Sequence, residues 1–192
     1  MTNLLKPGST YEEIYNNFKW NIPKRYNIAD DVCDRWADDV DRVALVYEDA
    51  AKEVHTYTFA QVRKYANQLA NTLCSYGLRR GDRVTLLLAQ DPECAFAHVA
   101  CWKAGMVSGP TSVLFAGDAI IYRLNDSGAK VLITDAANYP KVAEIRADCP
   151  SLERVLVIDG EPEGAENFWK AIEDAEESFA NVDTDAEEVA WI

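Results

Sequence analysis

Four short apolar runs begin at about residues 83, 106, 131 and 155, roughly 24 residues apart, with a capped helical pattern between them. No other feature constrains the chain as strongly. Strand, helix and strand at that spacing is what right-handed crossovers in a parallel sheet require. The first run, Arg83-Val84-Thr85-Leu86-Leu87-Leu88, is apolar on both alternations, as a strand buried on two faces must be. Asp91 offers an N-cap, Pro92 the first helical position, and Gly105 the stop of a helix over Glu93 to Ala104. A second helix is expected over Asp118 to Asp126, with Ile120, Ile121 and Leu124 on one face and Gly128 beyond its end. A third runs from Pro140 to about Ala147, with Val142 and Ile145 inward. The strands between and after are Met106 to Gly109, Val131 to Thr134 and Val155 to Ile158.

Upstream, Thr58-Phe59-Ala60-Gln61 is a capping box that opens a helix. Its apolar stripe is Phe59, Val62, Ala66, Leu69, Leu73 and Tyr76, and Gly77 closes it. Ala44 to Tyr47 and Val54 to Tyr57 read as a hairpin turning at Glu48 to Glu53, and Ile28 to Asp38 as one further helix. The fold class is therefore α/β, a mostly parallel sheet with helices on both faces. Three segments are expected: an N-terminal arm over 1–27, an α/β subdomain over 28–158, and an acidic helix and linker over 159–192. That last segment holds a short helix, Phe168 to Ala175, and ends on Val189-Ala190-Trp191-Ile192, which reads as the start of a buried strand. Stopping partway into an apolar run suggests truncation.

Charge narrows the function. Residues 159–192 carry twelve carboxylates against Lys170 alone, which leaves the rest of the chain close to neutral within the net −13. Nucleic-acid binding is disfavoured, since a phosphate backbone calls for a basic face. An acidic end of this kind usually forms solvated surface. No apolar run approaches the length of a membrane span, and the start of the chain lacks the pattern of a signal peptide. The odd set Cys33, Cys74, Cys94, Cys101 and Cys149 suits reduced thiols and a cytoplasmic setting.

Motifs of chemistry are sparse. His55 and His98 are the only histidines, and no cysteine pair has C-x-x-C spacing, so no metal site is expected. His98 reads as a satisfied core histidine and His55 as a strand residue facing solvent. Cys94 and Cys101, two helical turns and about 10 Å apart, read as small core residues. No histidine is placed to activate a serine or cysteine, and the glycine-rich phosphate-loop signatures are absent. Gly77-Leu78-Arg79-Arg80-Gly81-Asp82-Arg83 is a helix stop and tight turn whose three arginines could also face an anion.

Several segments together resemble the N-terminal portion of the AMP-forming acyl-CoA synthetases of the adenylate-forming superfamily. The residues that carry the likeness are Tyr57-Thr58-Phe59, Asn67, Leu69-Ala70, Gly77-Leu78, Gly81 to Val84, Leu87-Leu88, Asp91-Pro92-Glu93, Lys103-Ala104-Gly105, Pro110 and Tyr122 to Thr134. Phe18 to Pro23, Tyr26 to Ala29 and Leu114 to Ala119 resemble the acetyl- and medium-chain acyl-CoA branch. The chain departs from the family pattern at Ser108-Gly109-Pro110-Thr111, where a bulkier segment is usual.

The resemblance implies the N-terminal subdomain of the acyl-CoA synthetase fold, truncated, and a parent ligase of fatty-acid metabolism that uses ATP, Mg²⁺ and CoA. Such a parent joins a carboxylic acid to AMP with release of pyrophosphate, and CoA then takes the acyl group. In that family the phosphate loop follows a strand resembling Val189 to Ile192, so no catalytic residue carries over and no cofactor is expected in this segment alone. Ser112, Val113, Leu114 and Lys141 are implied to lie toward the CoA nucleotide. A polar turn and a helix-start lysine are also common solvated surface, and the residues alone leave both readings open. The expected partner is the rest of the parent chain, with self-association through uncovered apolar surface. A self-standing α/β binding or scaffolding module and a small nucleotide-binding domain are the competing readings.

Overall fold

Where the chain's backbone hydrogen bonds go is settled first by the strand runs. The computed structural model describes residues 10–192; Met1 to Ser9, part of the expected N-terminal arm, lie outside the described residues. Strands β1 (Val43–Glu48) and β2 (Val54–Thr58) form an antiparallel hairpin. Strands β3 (Arg83–Leu87), β4 (Val107–Pro110), β5 (Val131–Thr134), β6 (Arg154–Val157) and β7 (Glu166–Asn167) form one sheet in the order β4-β3-β5-β6-β7. Every pairing in it is parallel. The strands expected between residues 44 and 158 are all present within a residue or two, whereas Val189 to Ile192, expected to start a buried strand, make only an isolated bridge at Trp191 and stay largely exposed. The short β7 was not expected, because a two-residue edge strand has no periodicity to read.

The helices are α1 (Tyr11–Asn17), α2 (Ile28–Val32), α3 (Phe59–Ser75), α4 (Pro92–Lys103), α5 (Gly117–Ser127), α6 (Tyr139–Ile145) and α7 (Phe168–Glu173). Helices α2, α3, α4 and α7 pack on one face of the sheet and α5 and α6 on the other. One core joins Ala29, Val62, Leu69, Leu73, Phe96, Ala100 and Phe168 to Val84, Leu86, Ile133 and Leu156 of the sheet. The other joins Ile120, Leu124, Tyr139 and Val142 to Leu87, Leu132, Val155 and Val157. Alternate residues of one strand thus feed opposite cores, which is why the strand runs are apolar on both alternations. Each fully buried Leu, Ile, Val or Phe contributes about 1.5–3 kcal/mol relative to an exposed one.

Local signals set the helix ends. Thr58 Oγ1 accepts from Gln61 N at 3.2 Å while Gln61 Oε1 accepts from Thr58 N at 2.8 Å, the reciprocal box read from the sequence. Gly128 ends α5 in the left-handed region at φ 61°.

Two expectations need correction. Ile28 to Asp38 is not one helix: α2 stops at Cys33 (φ −131°, ψ −65°) and a 3₁₀ turn follows over Asp34–Trp36. The break lets Asp34 reach Lys103 of α4, whose ammonium is buried and lies 2.6 Å from Asp34 Oδ1.

The acidic stretch after α7 is likewise not a freely solvated tail. It runs as a strap across α3 and α4, from the β7 edge of the sheet to the β4 edge. Amides on α3 hold its carbonyls: Asn67 Nδ2 donates to Glu177 O at 2.7 Å, and Asn71 Nδ2 to Glu176 O and Ser178 O at 2.8 and 2.9 Å. Gln68 Nε2 donates to Ile172 O at 3.1 Å, where the strap leaves α7. Farther along, Val182 N donates to Lys103 O at 2.8 Å, and Tyr26 N to Thr184 O at 2.9 Å. An extended segment without a ladder must find partners for its backbone, and side-chain amides with two N–H donors supply them. Most of its carboxylates still face solvent, as charge patterning foretold, while Asp185 and Glu188 are half-buried and pair with Arg25 and Arg80.

Candidate functional site

In an open parallel sheet, ligands favour the carboxyl ends of the strands where the crossovers diverge. Here that place is the rim formed after β3, β4, β5 and β6. The four sequence-implied residues meet on this rim. Thr111 N donates to Leu86 O at 2.8 Å and carries the chain out of β4. Ser112 then starts a tight turn: its Oγ accepts from Leu114 N at 3.2 Å and its carbonyl from Phe115 N at 3.1 Å. The turn leaves the Leu114 side chain 90% exposed. Beneath it, the Arg123 guanidinium stacks over the Phe115 ring at 4.3 Å.

Lys141, in the first turn of α6, reaches across to this turn. Its ammonium donates to Val113 O at 2.7 Å and to Asn138 Oδ1 at 2.9 Å. Asn138 is itself held by Asp135, with Nδ2 donating to Oδ1 and Oδ2 at 3.0 and 2.9 Å. Two of the three ammonium donors are therefore used internally and one remains for a ligand. The arrangement offers one oriented cation beside an exposed apolar side chain. Such a pair suits an anionic or amphiphilic group.

The rest of the rim is acidic. Asp91 and Glu93 follow β3, Asp135 follows β5 and Asp159 follows β6. Burial, with Asp91 and Asp159 near by, raises the Glu93 carboxyl above its ordinary range. Asp159 Oδ1 accepts from Ala136 N at 2.6 Å, and Tyr47 OH donates to Asp91 Oδ1 at 3.2 Å.

One pairing was missed from the sequence. His98 Nδ1 lies 2.9 Å from Ser108 Oγ, a serine–histidine contact where none was expected. A helix and a strand ten residues apart converge there, which no linear motif announces. Ser108 is wholly buried and its hydroxyl also bonds Ala190 O at 3.3 Å, so it is sealed from any substrate. Burial lowers the His98 pKa, which keeps the ring neutral.

The arginines of the 77–83 turn do not present an anion site. Arg80 pairs with Glu188, Arg79 Nη1 donates to Leu78 O at 2.9 Å, and Arg83 Nη2 to Gly128 O at 3.1 Å. Among the described residues, Asp49, Glu53 and His55 of the exposed hairpin turn bring ligand atoms within 4.8 Å of one another. His55 Nε2 and Asp49 Oδ2, 3.1 Å apart, bond each other. All five thiols are unpaired, and burial pushes Cys33 up to about 11 and Cys101 up to about 12.

Comparison with known proteins places this architecture. The family described as "AMP-binding enzyme" matches residues 33–192. The mouse mitochondrial acyl-coenzyme A synthetase ACSM3 is 34% identical, with 96% of this chain and 33% of that protein covered. The acetyl-coenzyme A synthetase of Bacillus subtilis (strain 168) is 32% identical, covering 90% of this chain and 32% of its own length. Among solved structures, Brucella canis acyl-CoA synthetase superposes with a TM-score of 0.85 at 26% identity, over 94% of this chain and 35% of that one. The anthranilate CoA ligase AuaEII, in complex with anthranoyl-AMP, gives 0.76 at 26% identity, over 88% and 31%. The chain spans about a third of the length of the curated relatives it matches. Among the described residues no helix is long and apolar enough to cross a membrane.

Proposed function

Since the chain belongs to the AMP-binding enzyme family, we propose that it is the N-terminal portion of an AMP-forming acyl-CoA synthetase and is inactive by itself. The observation that carries this reading is one of coverage. Nearly the whole chain aligns with acyl-CoA synthetases, yet it accounts for only 33% of ACSM3 and 35% of the Brucella protein. The whole enzyme would use ATP with Mg²⁺ to activate a carboxylic acid and CoA to accept the acyl group. The rest of that protein is the natural partner of this segment. Five unpaired thiols favour a reducing compartment such as the cytoplasm.

Within the segment, Ser112, Val113, Leu114 and Lys141 are proposed to touch the CoA nucleotide. The free ammonium donor of Lys141 would meet a phosphate, and Leu114 would cover an apolar face of the ligand. Pyrophosphate release and acyl-CoA formation are measured for the longer enzyme and for this chain, with a panel of short- and medium-chain acids. The longer enzyme is expected to turn over and this chain to release no pyrophosphate. Turnover by this chain alone refutes the inactivity, and a longer protein that never adenylates an acid refutes the synthetase reading. For the CoA contact, Lys141→Ala should raise the KM for CoA severalfold and leave the KM for the acid unchanged.

A further inference from the structure

The strap ends on an unusual anchorage. Beside the edge strand β4, three donors converge on one carbonyl: Ser108 N and Trp102 Nε1 lie 3.1 Å from Ala190 O, and Ser108 Oγ lies 3.3 Å from it. Ile192 N donates back to Ser108 O at 3.2 Å, and Trp191 is the parallel partner of Ser108. The hydroxyl of Ser108 has one proton. When it donates to Ala190 O it must accept from His98 Nδ1, which requires a proton on Nδ1; burial disfavours the charged ring, which leaves the Nδ1–H tautomer. The His98 ring stacks on Trp102 with centroids 5.4 Å apart and meets the Trp191 ring at 5.9 Å. Next along β4, a Cβ built on Gly109 would lie 3.8 Å from Ile192 Cγ1, in ordinary contact, so Ile192 sits against this stretch of β4.

These contacts exist in one register only. Val107 and Gly109, the neighbours of Ser108, carry no hydroxyl. A one-residue slip would take the carbonyl away from the Ser108 and Trp102 donors and turn Trp191 to the other face. Two ladder bonds at an exposed edge are too few to fix a register unaided. Val189, Trp191 and Ile192 are 61%, 63% and 55% exposed, so burial does not fix it either, contrary to the buried strand expected from the sequence.

We propose that His98, Trp102 and Ser108 are positioning residues that lock the register of Ala190–Ile192 along β4. For its catalytic consequence the inference rests on the synthetase reading, in which the locked segment leads toward the nucleotide-binding part of the enzyme. The test begins with nitrogen-15 NMR of this chain, whose two histidines are separately assignable. His98 should show the Nδ1–H tautomer and lose it in Ser108→Ala, while Ser108→Thr, which restores a hydroxyl, should regain it.

In the pair Ser108→Ala with Trp102→Phe, exchange of the residue-108 amide should speed up about tenfold or more, as loss of charge-neutral hydrogen bonds at an edge predicts. Amides of β3 and β5 should keep their protection, which checks that the fold survives. A native Nε2–H tautomer, or an unchanged residue-108 amide in the pair, overturns the lock. In the longer enzyme the pair should raise the KM for ATP severalfold with the KM for CoA unchanged. Protection lost with no change in the ATP KM overturns the positioning role. Protection lost in a longer protein that adenylates nothing overturns the synthetase reading and leaves the lock standing.

Discussion

Removing the carboxylate of Asp34 should destabilise the protein far more than removing the lysine it serves. The Lys103 side chain is 1% exposed and that of Asp34 is 21% exposed. Lys103 Nζ donates to Asp34 Oδ1 at 2.6 Å and to Asn181 Oδ1 at 3.2 Å. In Asp34→Ala the ammonium stays buried with one neutral acceptor, and an orphaned buried charge costs about 3–5 kcal/mol. In Lys103→Met the chain volume is nearly kept and the stranded carboxylate keeps Asn181 Nδ2 at 2.7 Å and partial access to water. That change should cost about 1–2 kcal/mol. The double variant should then recover most of the Asp34→Ala loss, because no buried charge is left unpaired. Urea unfolding of the four proteins gives the cycle directly, and at this size each kcal/mol moves the midpoint by about 2–4 °C in a thermal scan. The argument fails if Asp34→Ala costs no more than Lys103→Met, or if the double variant is the sum of the two.

Acid should weaken the fold through His98. Burial lowers its folded pKa below the ordinary 6.5, so the unfolded chain binds the proton more readily. Its contribution is fully present above pH 6.5 and declines as pH falls below that value; an NMR titration placing the His98 midpoint at or above 6.5 contradicts this. Gly128→Ala should cost more than Gly77→Ala, although both sit at positive φ. A Cβ at 128 would lie 2.6 Å from Arg83 Nη2, which would have to give up its 3.1 Å bond to Gly128 O to make room, whereas at 77 it meets nothing within 4 Å. Beyond the shared backbone cost of about 1 kcal/mol, chemical denaturation should show an added loss at 128, and equal losses would refute the steric argument. Thr58→Ala, which opens the capping box, should lose about 1 kcal/mol by the same measurement. Cys101, with its pKa pushed up to about 12, should resist thiol reagents at pH 8 until the protein unfolds. Labelling of Cys101 in the native protein at the unfolded rate would show that the burial is not maintained.

Strand and helix periodicity made the α/β layers legible, because alternation and capping are local properties that neighbours in sequence enforce on one another. The parallel run from β3 to β6 and the box at Thr58 were readable for that reason. So was the family resemblance, which rests on the same ordered segments. Of the candidate site, the positions Ser112 to Leu114 and Lys141 were readable, but their joining was not: Lys141 and Val113 are 28 residues apart and meet only because β4 and β5 stand on either side of β3.

Long-range polar contacts stayed hidden. Asn67, Gln68 and Asn71 lie outside the apolar stripe of their helix, and only packing shows that they clasp the acidic strap. Cys33 breaks the expected helix so that Asp34 can meet a buried lysine 69 residues away. The sequence alone determined the main strands and helices between β1 and β6 and which of their faces are apolar. The tertiary structure decided which polar atoms satisfy one another, since a buried donor takes whatever acceptor folding brings within 3 Å or so, and sequence distance has no bearing on that choice.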